Sequence, residues 1–499
     1  MGIVFDFVDW YEFETGEAIT PIVRNLDGRG SNELFISYSK GSDGWAATLR
    51  VEDDGTVGET TDSLEWDASA GTYPYPLHVS TAGGYSYFAI SYSGPFTNGY
   101  IKTIKVDDSG NFDSVVDTLT ISADSIDYSV IVQISGDIYA VVYSTLPADN
   151  DLWIKTFDMT PEGVIGAVID TLEFDTGGAA GNEPLDAFYY SGNVFAFYPD
   201  STGAGVIKVI PVTADGTISA VANTDNYDAV AGEIPCTGSI QDSVFSVIYA
   251  DGSSNGQLKT FSISGTSITW IDSLEFDSGG SCGPTQFFGT HMTDYYGLAY
   301  MSTATQGKIA IVEITNTGVI GGEVATKRLV GAYLLYPRVV RIGTTTIYAV
   351  VGRQQAAYFD GYVASYDIHL TPPINKSAWG ASQSSRSGVT NEALVASDLG
   401  IKELLPGGIT EGRTFWLRAL WAYNSHATDT GILRLWDQSE GDGLLLNTMG
   451  ACPLPAGEII MLEWPEPGLP FITNVCASVS AGTVAAYECG CSGYEVGGG

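Results

Sequence analysis

Residues 243–277 read SVFSVIYADGSSNGQLKTFSISGTSITWIDSLEFD, and this stretch contains the unit from which most of the chain is built. An apolar strand-like segment ends near Tyr249 and is followed by a Gly- and Asp-rich turn, an alternating segment, a second turn and the segment DSLEFD (272–277). Apolar runs that alternate with Gly, Asn and Asp turns are typical of antiparallel β-strands. The stretch therefore predicts three strands joined by two tight turns.

The same unit recurs along the chain at a nearly constant step. The strand that ends near Tyr249 has equivalents anchored at Tyr38, Tyr92, Tyr143, Tyr198, Tyr300 and Gly352, with successive steps of 54, 51, 55, 51, 51 and 52 residues. The closing strand recurs as DSLEWD (62–67), DTLTIS (117–122), DTLEFD (170–175) and NTDNYD (223–228). A further strand before each anchor completes four strands per unit. Four short antiparallel strands roughly every fifty residues indicate the blades of a β-propeller.

The two ends of this repeat region complement each other. The seventh unit stops after YVASYDIHL (362–370) and meets Pro372 and Pro373 before a fourth strand appears. The chain begins with VDWYEFE (8–14), which matches the missing strand. We therefore expect an all-β, seven-bladed β-propeller whose N-terminal strand closes the last blade and so removes an open edge. The repeated aromatic residues are expected to pack between blades, and the carboxylates of the closing strands to face solvent.

The remainder of the chain does not follow the repeat. Residues 375–388, NKSAWGASQSSRSG, are rich in Ser and Gly, and strand-like segments follow at 414–423, 432–438, 458–464 and 471–489. We therefore predict a propeller at 1–373, a linker at 374–388 and a jelly-roll-like β-sandwich at 389–499.

Part of this C-terminal region resembles a known kind of module. The segments YNSHATDTGILRLWD (423–437) and LPAGEIIMLEWPEPGLPFITNVCASVSAGTVAAYECG (454–490) are similar to small β-sandwich modules on virion proteins of tailed bacteriophages and related archaeal viruses. The resemblance spans Thr414 to Val496 and rests on the order of strands and turns. It implies a particle-borne module that trimerises or plugs into the virion, with other virion structural proteins as partners.

The charge of the chain excludes two classes of partner. Asp and Glu number 59 against 21 Lys and Arg, which gives a formal net charge of −38. Such a surface repels phosphate backbones and anionic headgroups, so nucleic-acid binding and membrane-surface binding are not expected. Solubility and function at high ionic strength both remain explanations of the charge. No apolar run reaches the roughly 18 residues of a spanning helix.

A secretory signal is not expected either. The first residues lack a basic region and carry Asp6 and Asp9 within their apolar stretch. Either the chain stays in the cytosol or it leaves by another route, such as on an assembled particle released by lysis. With the resemblance described above, we expect the protein on a virion.

The sequence carries no complete copy of a motif associated with catalysis or metal binding. Ser42-Asp43-Gly44-Trp45 is a single distorted copy of a sialidase-type Asp box, and residues 25–30, NLDGRG, are a degenerate copy of a calcium loop. The histidines are isolated, and most tryptophans are expected in cores although they are able to stack on sugars (His78, His291, His369, His426; Trp379, Trp416, Trp421, Trp436, Trp464). The six cysteines form no CxxC pair, so no zinc site is expected, while disulfides and free thiols both remain open for Cys452, Cys476, Cys489 and Cys491. We predict no enzymatic activity, no cofactor and no metal, and the receptor-binding residues stay unknown.

The favoured hypothesis is a virion surface structural protein, such as a fibre, spike, turret or decoration component. Its propeller would display loops that bind a host glycan or protein, and its C-terminal sandwich would anchor it or form a homo-oligomer, with a trimer favoured. Two alternatives remain at this stage: a cellular carbohydrate-binding adhesin or lectin-like propeller, and a polysaccharide hydrolase or lyase.

Overall fold

The computed structural model divides the chain into two compact units, Met1–Ile374 and Asn375–Gly499. In the first unit the structure describes residues 2–26, 32–145, 150–177, 184–279, 282–303, 306–329, 334–354 and 360–371. In the second unit it describes the strands 392–395, 402–403, 413–424, 431–437, 448–454, 459–463, 469–471, 475–480 and 486–497. The predicted linker at 374–388 lies outside the described residues. No helix in the described ranges has the length and apolar character needed to cross a membrane.

The first unit is built from strands, as the repeat predicts. In chain order they are β1 (Gly2–Glu14), β2 (Ile19–Asn25), β3 (Glu33–Lys40), β4 (Asp43–Val51), β5 (Val57–Asp67), β6 (Thr72–Ala82), β7 (Tyr85–Ser93), β8 (Asn98–Asp107), β9 (Phe112–Ser135), β10 (Ile138–Thr145), β11 (Leu152–Met159), β12 (Ile165–Asp175), β13 (Asp186–Tyr190), β14 (Asn193–Pro199), β15 (Gly205–Pro211), β16 (Asn223–Asp228), β17 (Glu233–Gln241), β18 (Val244–Ala250), β19 (Gly256–Ser264), β20 (Ser267–Asp277), β21 (Gly283–Gly289), β22 (Tyr295–Thr303), β23 (Gln306–Ile314), β24 (Ile320–Arg328), β25 (Leu334–Arg341), β26 (Ile347–Gln354) and β27 (Gly361–Thr371). A 3-10 turn, Pro95–Thr97, precedes β8.

These strands form consecutive antiparallel sheets. Four-stranded sheets have the orders β2-β3-β4-β5, β13-β14-β15-β16, β17-β18-β19-β20 and β21-β22-β23-β24. The long strand β9 belongs to two neighbouring sheets, so β6 to β12 form one continuous seven-stranded arrangement. The strand that begins each sheet contacts the corresponding strand of the next sheet, from β2 through β6, β9, β13, β17, β21 and β25 back to β2. An all-β β-propeller results, as expected from the repeat.

The predicted pairing between the two ends of the repeat region is confirmed. Strand β1 pairs antiparallel with β27, with Trp10 opposite Ala364 and Glu12 opposite Tyr362. The sheet therefore has the order β1-β27-β26-β25. It packs against the first sheet through a shared apolar cluster that includes Phe13, Leu34 and Ile347.

The core lies between neighbouring sheets, where the anchor residues are buried. Tyr38, Tyr92, Tyr143, Tyr198, Tyr249 and Tyr300 are at most 2% exposed. Phe35 of β3 stacks on Phe88 of β7 with ring centroids 4.0 Å apart, which joins two adjacent sheets. The expectation that repeated aromatic residues pack between blades is confirmed.

Only some carboxylates of the closing strands face solvent, and others form hydrogen bonds to the neighbouring sheet. Glu65, Glu173 and Glu275 face solvent as expected. The first acid of the motif instead accepts a backbone hydrogen bond from the next sheet, as Asp62 does from Phe112 N at 2.9 Å. Equivalent bonds join Asp9 to Val57, Asp117 to Ile165, Asp170 to Ile218 and Asp272 to Ile320.

The prediction that the last acid of the motif faces solvent is also wrong. Asp67 is only 9% exposed and accepts a 2.8 Å hydrogen bond from the Tyr92 hydroxyl of the neighbouring sheet and a 2.7 Å ion pair from Lys102. The physical reason is that buried hydroxyl and backbone donors at a sheet interface need acceptors, and the repeated Asp supplies them.

The second unit contains two sheets. Its strands are β28 (Glu392–Val395), β29 (Lys402–Glu403), β30 (Arg413–Asn424), β31 (Gly431–Asp437), β32 (Thr448–Leu454), β33 (Ile459–Glu463), β34 (Leu469–Phe471), β35 (Val475–Ser480) and β36 (Ala486–Gly497). One sheet has the order β28-β36-β30-β33, with β34 also paired to β30, and the other has the order β29-β35-β31-β32.

Candidate ligand-binding site

The first strands of most sheets begin with a repeated irregularity, although β13 pairs with β14 in continuous register. In the first sheet Ile19 pairs with Ser39 and Ile22 with Ser37, so two residues oppose one. Corresponding register shifts occur at the start of β6, β17, β21 and β25, and where β9 enters its second sheet. A proline is the second of the two bulged residues in most of these strands (Pro21, Pro74, Pro235, Pro337). Such a bulge bends the strand and re-aims its side chains.

The residue before this proline adopts left-handed backbone geometry in four strands. The φ values are 48° at Thr20, 52° at Tyr73, 51° at Ile234 and 52° at Tyr336. Positive φ is costly for β-branched residues such as Thr and Ile, so the surrounding structure must hold it in place. All four side chains line the same cavity.

That cavity has a volume of about 660 Å³ and lies where the first strands converge. The volume falls within the roughly 300–1,000 Å³ that small-molecule sites occupy. Every first strand or the segment leading into it contributes, with representatives Ile22, Tyr75, Tyr128, Leu185, Cys236, Phe287 and Arg338. The cavity is therefore the central channel of the propeller at the end where each first strand begins.

Positive charge converges on this cavity in an otherwise acidic protein. Three of the seven arginines in residues 1–374, Arg24, Arg338 and Arg353, line it. Among the described lining residues the only carboxylate is Asp186. The cavity thus has the opposite charge balance from the chain as a whole, whose net charge is −38.

The arginines are held by the channel wall. The Arg24 guanidinium donates to the Val23 carbonyl at 2.9 Å and lies over the Tyr75 ring, 5.4 Å from its centroid. Arg353 lies 4.8 Å from the centroid of Tyr336. Nε of Arg338 has no hydrogen-bond acceptor in the described part of the chain.

Both carboxylate oxygens of Asp186 accept hydrogen bonds from backbone and hydroxyl donors. Its Oδ2 accepts hydrogen bonds from Thr237 N at 2.6 Å and Thr237 Oγ1 at 2.8 Å, and its Oδ1 accepts one from Ala187 N at 2.9 Å. Burial raises the pKa of Asp186, while these hydrogen bonds and the Arg338 charge act in the opposite direction. The residue therefore joins β13 to β17 in the channel wall.

A second side chain joins neighbouring first strands in the same way. The Gln286 amide donates to the Val339 carbonyl at 2.9 Å, and its oxygen accepts from Val339 N at 2.5 Å. Because these side chains fix the spacing of adjacent strands, the cavity is preorganised. Preorganisation lowers the entropic cost of ordering the site when a ligand binds.

Burial also sets the protonation of the other groups around the cavity. It raises the pKa of the Cys236 thiol and of the Tyr75 hydroxyl to about 12, so both stay protonated at neutral pH. It raises the pKa of Asp127 to about 6. Asp127 is 5% exposed and directly precedes Tyr128, whose ring lies 4.5 Å from that of Tyr73.

The residues singled out from sequence lie elsewhere. His78 lies 3.2 Å from Thr81 Oγ1, backbone N of His291 donates to the Tyr348 hydroxyl at 2.7 Å, and His369 lies 3.4 Å from Asp367. None of the three lines the cavity.

The two motif-like segments are structural where they are described. Trp45 stacks under the Lys40 ammonium at 5.1 Å. The Asn25 amide donates to the Arg341 carbonyl at 3.1 Å, and residues 27–30 of the calcium-like segment lie outside the described residues.

Three of the tryptophans singled out from the sequence lie on strands of the second unit. Trp416 and Trp421 lie on β30 and Trp436 on β31. Trp379, Trp464 and His426 lie outside the described residues.

The cavity residues were missed because the repeat directs attention to features shared by all units. The signal that was available is the X-Pro step at the start of successive first strands, together with Arg24 at a position where other units carry apolar or small residues such as Leu77 and Gly238.

Comparison with known proteins shows a similarity of fold and no similarity of sequence family. No family model matches the chain, and no curated protein matches it in sequence. Among solved structures, the chain is similar to a putative 6-phosphogluconolactonase from Bacteroides fragilis, with 13% identity, a TM-score of 0.47, and coverage of 68% of this chain and 93% of that one. It is also similar to a periplasmic gluconolactonase from Pseudomonas aeruginosa, with 14% identity, a TM-score of 0.44, and coverage of 62% and 85%. The WD40 domain of Toxoplasma gondii coronin shows 9% identity, a TM-score of 0.48, and coverage of 75% and 88%.

These similarities correct one prediction from the sequence. The chain was predicted to have no enzymatic activity, yet two of these three similar structures are named as lactonases. The prediction that the chain has no enzymatic activity is therefore wrong. At 13–14% identity and TM-scores below 0.5 the likeness does not extend a lactonase activity to this chain.

Proposed function

We propose that the N-terminal unit is a seven-bladed propeller that binds a saccharide-sized ligand in its central channel, as the receptor-binding part of a virion surface structural protein. The observation that carries the binding role is the preorganised cavity of about 660 Å³ at the start of the first strands. A count of seven blades is supported by the closed order of contacts from β2 through β25 back to β2, with β9 shared by two blades.

The lining of the cavity suits a saccharide. Tyr73, Tyr75, Tyr128 and Tyr336 present aromatic surface with a polar hydroxyl, which combines apolar contact with hydrogen bonding. Arginine and Asp186 add charged groups that fix the orientation of polar ligands. Elsewhere in the ring, by contrast, the repeated Asp and Tyr groups described above are hydrogen-bonded between sheets.

The C-terminal unit is assigned the anchoring or oligomerising role, with a trimer favoured. Two antiparallel sheets in this unit are consistent with a β-sandwich, and the resemblance between Thr414 and Val496 supports a virion module. A cellular adhesin that binds carbohydrate through the same cavity is the competing proposal.

Binding is tested with the full chain on a glycan array, followed by titration of each hit. The variant Tyr128→Ala removes an aromatic ring from the cavity, and Tyr85→Ala is a matched control because Tyr85 is also partly buried but does not line it. We expect Tyr128→Ala to weaken binding at least tenfold and Tyr85→Ala to leave it unchanged. If no glycan binds, or if both variants bind as the wild type does, the proposed function is wrong.

The hits also serve to detect turnover. Release of new reducing ends from a bound glycan would replace the binding role with a hydrolytic one. The virion placement is tested separately with an antibody against the chain. Labelling of intact purified particles supports it, and labelling confined to cell surfaces supports the adhesin.

A further inference from the structure

We infer that the channel cavity recognises a saccharide that carries a carboxylate, which Arg338 binds with support from Arg24 and Arg353. This inference rests on the proposed function and narrows its ligand to uronic-acid-type sugars. Three steps lead to it: the local charge balance, the state of the arginine donors, and the aromatic surface beside the arginines.

The first step is the charge balance. The three arginines face one carboxylate, Asp186, among the described lining residues. Concentrating cations in a channel of a chain with a net charge of −38 serves no solubility purpose. Low-dielectric walls strengthen the resulting local field and attract a counter-ion.

The second step concerns the donors. Asp186 uses both oxygens on Thr237 and Ala187, and no ion pair within 4.0 Å joins it to any of the three arginines. The buried Nε of Arg338 has no acceptor in the described residues. A buried guanidinium donor without an acceptor is costly, and a ligand carboxylate satisfies it with the two-pronged geometry that arginine favours.

The third step concerns the surface beside the arginines. A carboxylate needs one guanidinium fork, which Arg338 supplies. Tyr75 and Tyr336, over which Arg24 and Arg353 stack, leave an apolar and aromatic surface beside the cations. A charged group attached to a sugar ring matches both parts of this surface.

The test is calorimetric titration of the full chain with D-glucuronate and D-galacturonate against D-glucose and D-galactose, with D-glucose 6-phosphate as the phosphate probe. We expect the uronates to bind at least tenfold more tightly than the neutral sugars, and their affinity to fall as NaCl is raised from 50 to 500 mM. Arg338→Gln should weaken uronate binding at least tenfold, and Arg338→Lys should restore it only in part because the fork is lost. Arg50→Gln is the control, since Arg50 is half exposed and lies outside the cavity.

The outcomes separate this inference from the proposed function. Equal affinity for neutral and acidic sugars, with no effect of Arg338→Gln but a loss in Tyr128→Ala, overturns the carboxylate and keeps the channel as a saccharide site. Tighter binding of the 6-phosphate than of either uronate also overturns it. Failure of every sugar to bind overturns both. If Arg338→Gln does not fold by circular dichroism, Arg353→Gln takes its place with the same expected loss.

Discussion

Replacing Asp127 by asparagine tests whether a buried carboxylate destabilises the propeller beside its channel. Oδ2 of Asp127 has no hydrogen-bond partner in the described residues, and burial raises its pKa from the ordinary 3.8 to about 6. The folded state holds the Asp127 proton more tightly than the unfolded chain does. Protonation of Asp127 therefore stabilises the fold; this contribution is fully present below pH 3.8 and is lost as the pH rises through 6. At 1.36 kcal/mol per pKa unit, ionisation costs the fold about 3 kcal/mol at pH 8 and about half as much at pH 5.

The asparagine variant has a similar shape and no charge, so it should gain stability over the wild type as the pH rises. We expect the difference in free energy of unfolding between variant and wild type to be larger at pH 8 than at pH 5 by about 1 kcal/mol. Any pH-independent cost of the amide cancels in this comparison. Urea unfolding of the full chain, followed by tryptophan fluorescence, measures it. Asp137→Asn, at an exposed position in the turn after β9, is the control. An equal difference at the two pH values for Asp127→Asn would refute the reasoning.

Three further outcomes are expected. Gly205→Ala places a Cβ 2.3 Å from an aromatic carbon and should lower the free energy of unfolding by about 1–3 kcal/mol, whereas Gly289→Ala, with no atom within 4 Å, should melt as the wild type does. Tyr92→Phe removes the 2.8 Å hydrogen bond to Asp67 and should cost about 1–3 kcal/mol in urea unfolding, and an unchanged midpoint would contradict that bond. Deletion of residues 2–14 uncovers the edge of β27 and should cause concentration-dependent self-association in light scattering, which the intact chain at equal concentration should lack.

Much of the fold was predictable because packing between equivalent sheets repeats its requirements in the sequence. The anchor tyrosines and the DSLEFD-type strands recur since each interface needs the same ring and the same acceptor, as Tyr92 and Asp67 illustrate. The pairing of β1 with β27 followed from the one unit that lacked its closing strand.

The candidate site was not predictable by the same route. Arg24 and Arg338 are separated by more than 300 residues, and each occupies a position that the other units fill with unrelated side chains. Only the ring geometry brings them to one cavity. The roles of Asp62 and Asp67 were also hidden, because an acid that faces solvent and one that bonds to the next sheet look identical in a strand pattern.

The pairing of Trp10 with Ala364 also has a consequence for synthesis. A ribosome that adds about 5–20 residues per second needs roughly 20–70 s to make the partner of the first strand. During that time GIVFDFVDWYEFE is an uncovered apolar segment on every nascent chain, and Asp6 and Asp9 interrupt it with charges that discourage pairing between chains on one polysome. Once residues 361–371 have been made, β1 pairs with them, and the 3.0 Å hydrogen bond that Asp9 accepts from Val57 N joins this last sheet to the first one.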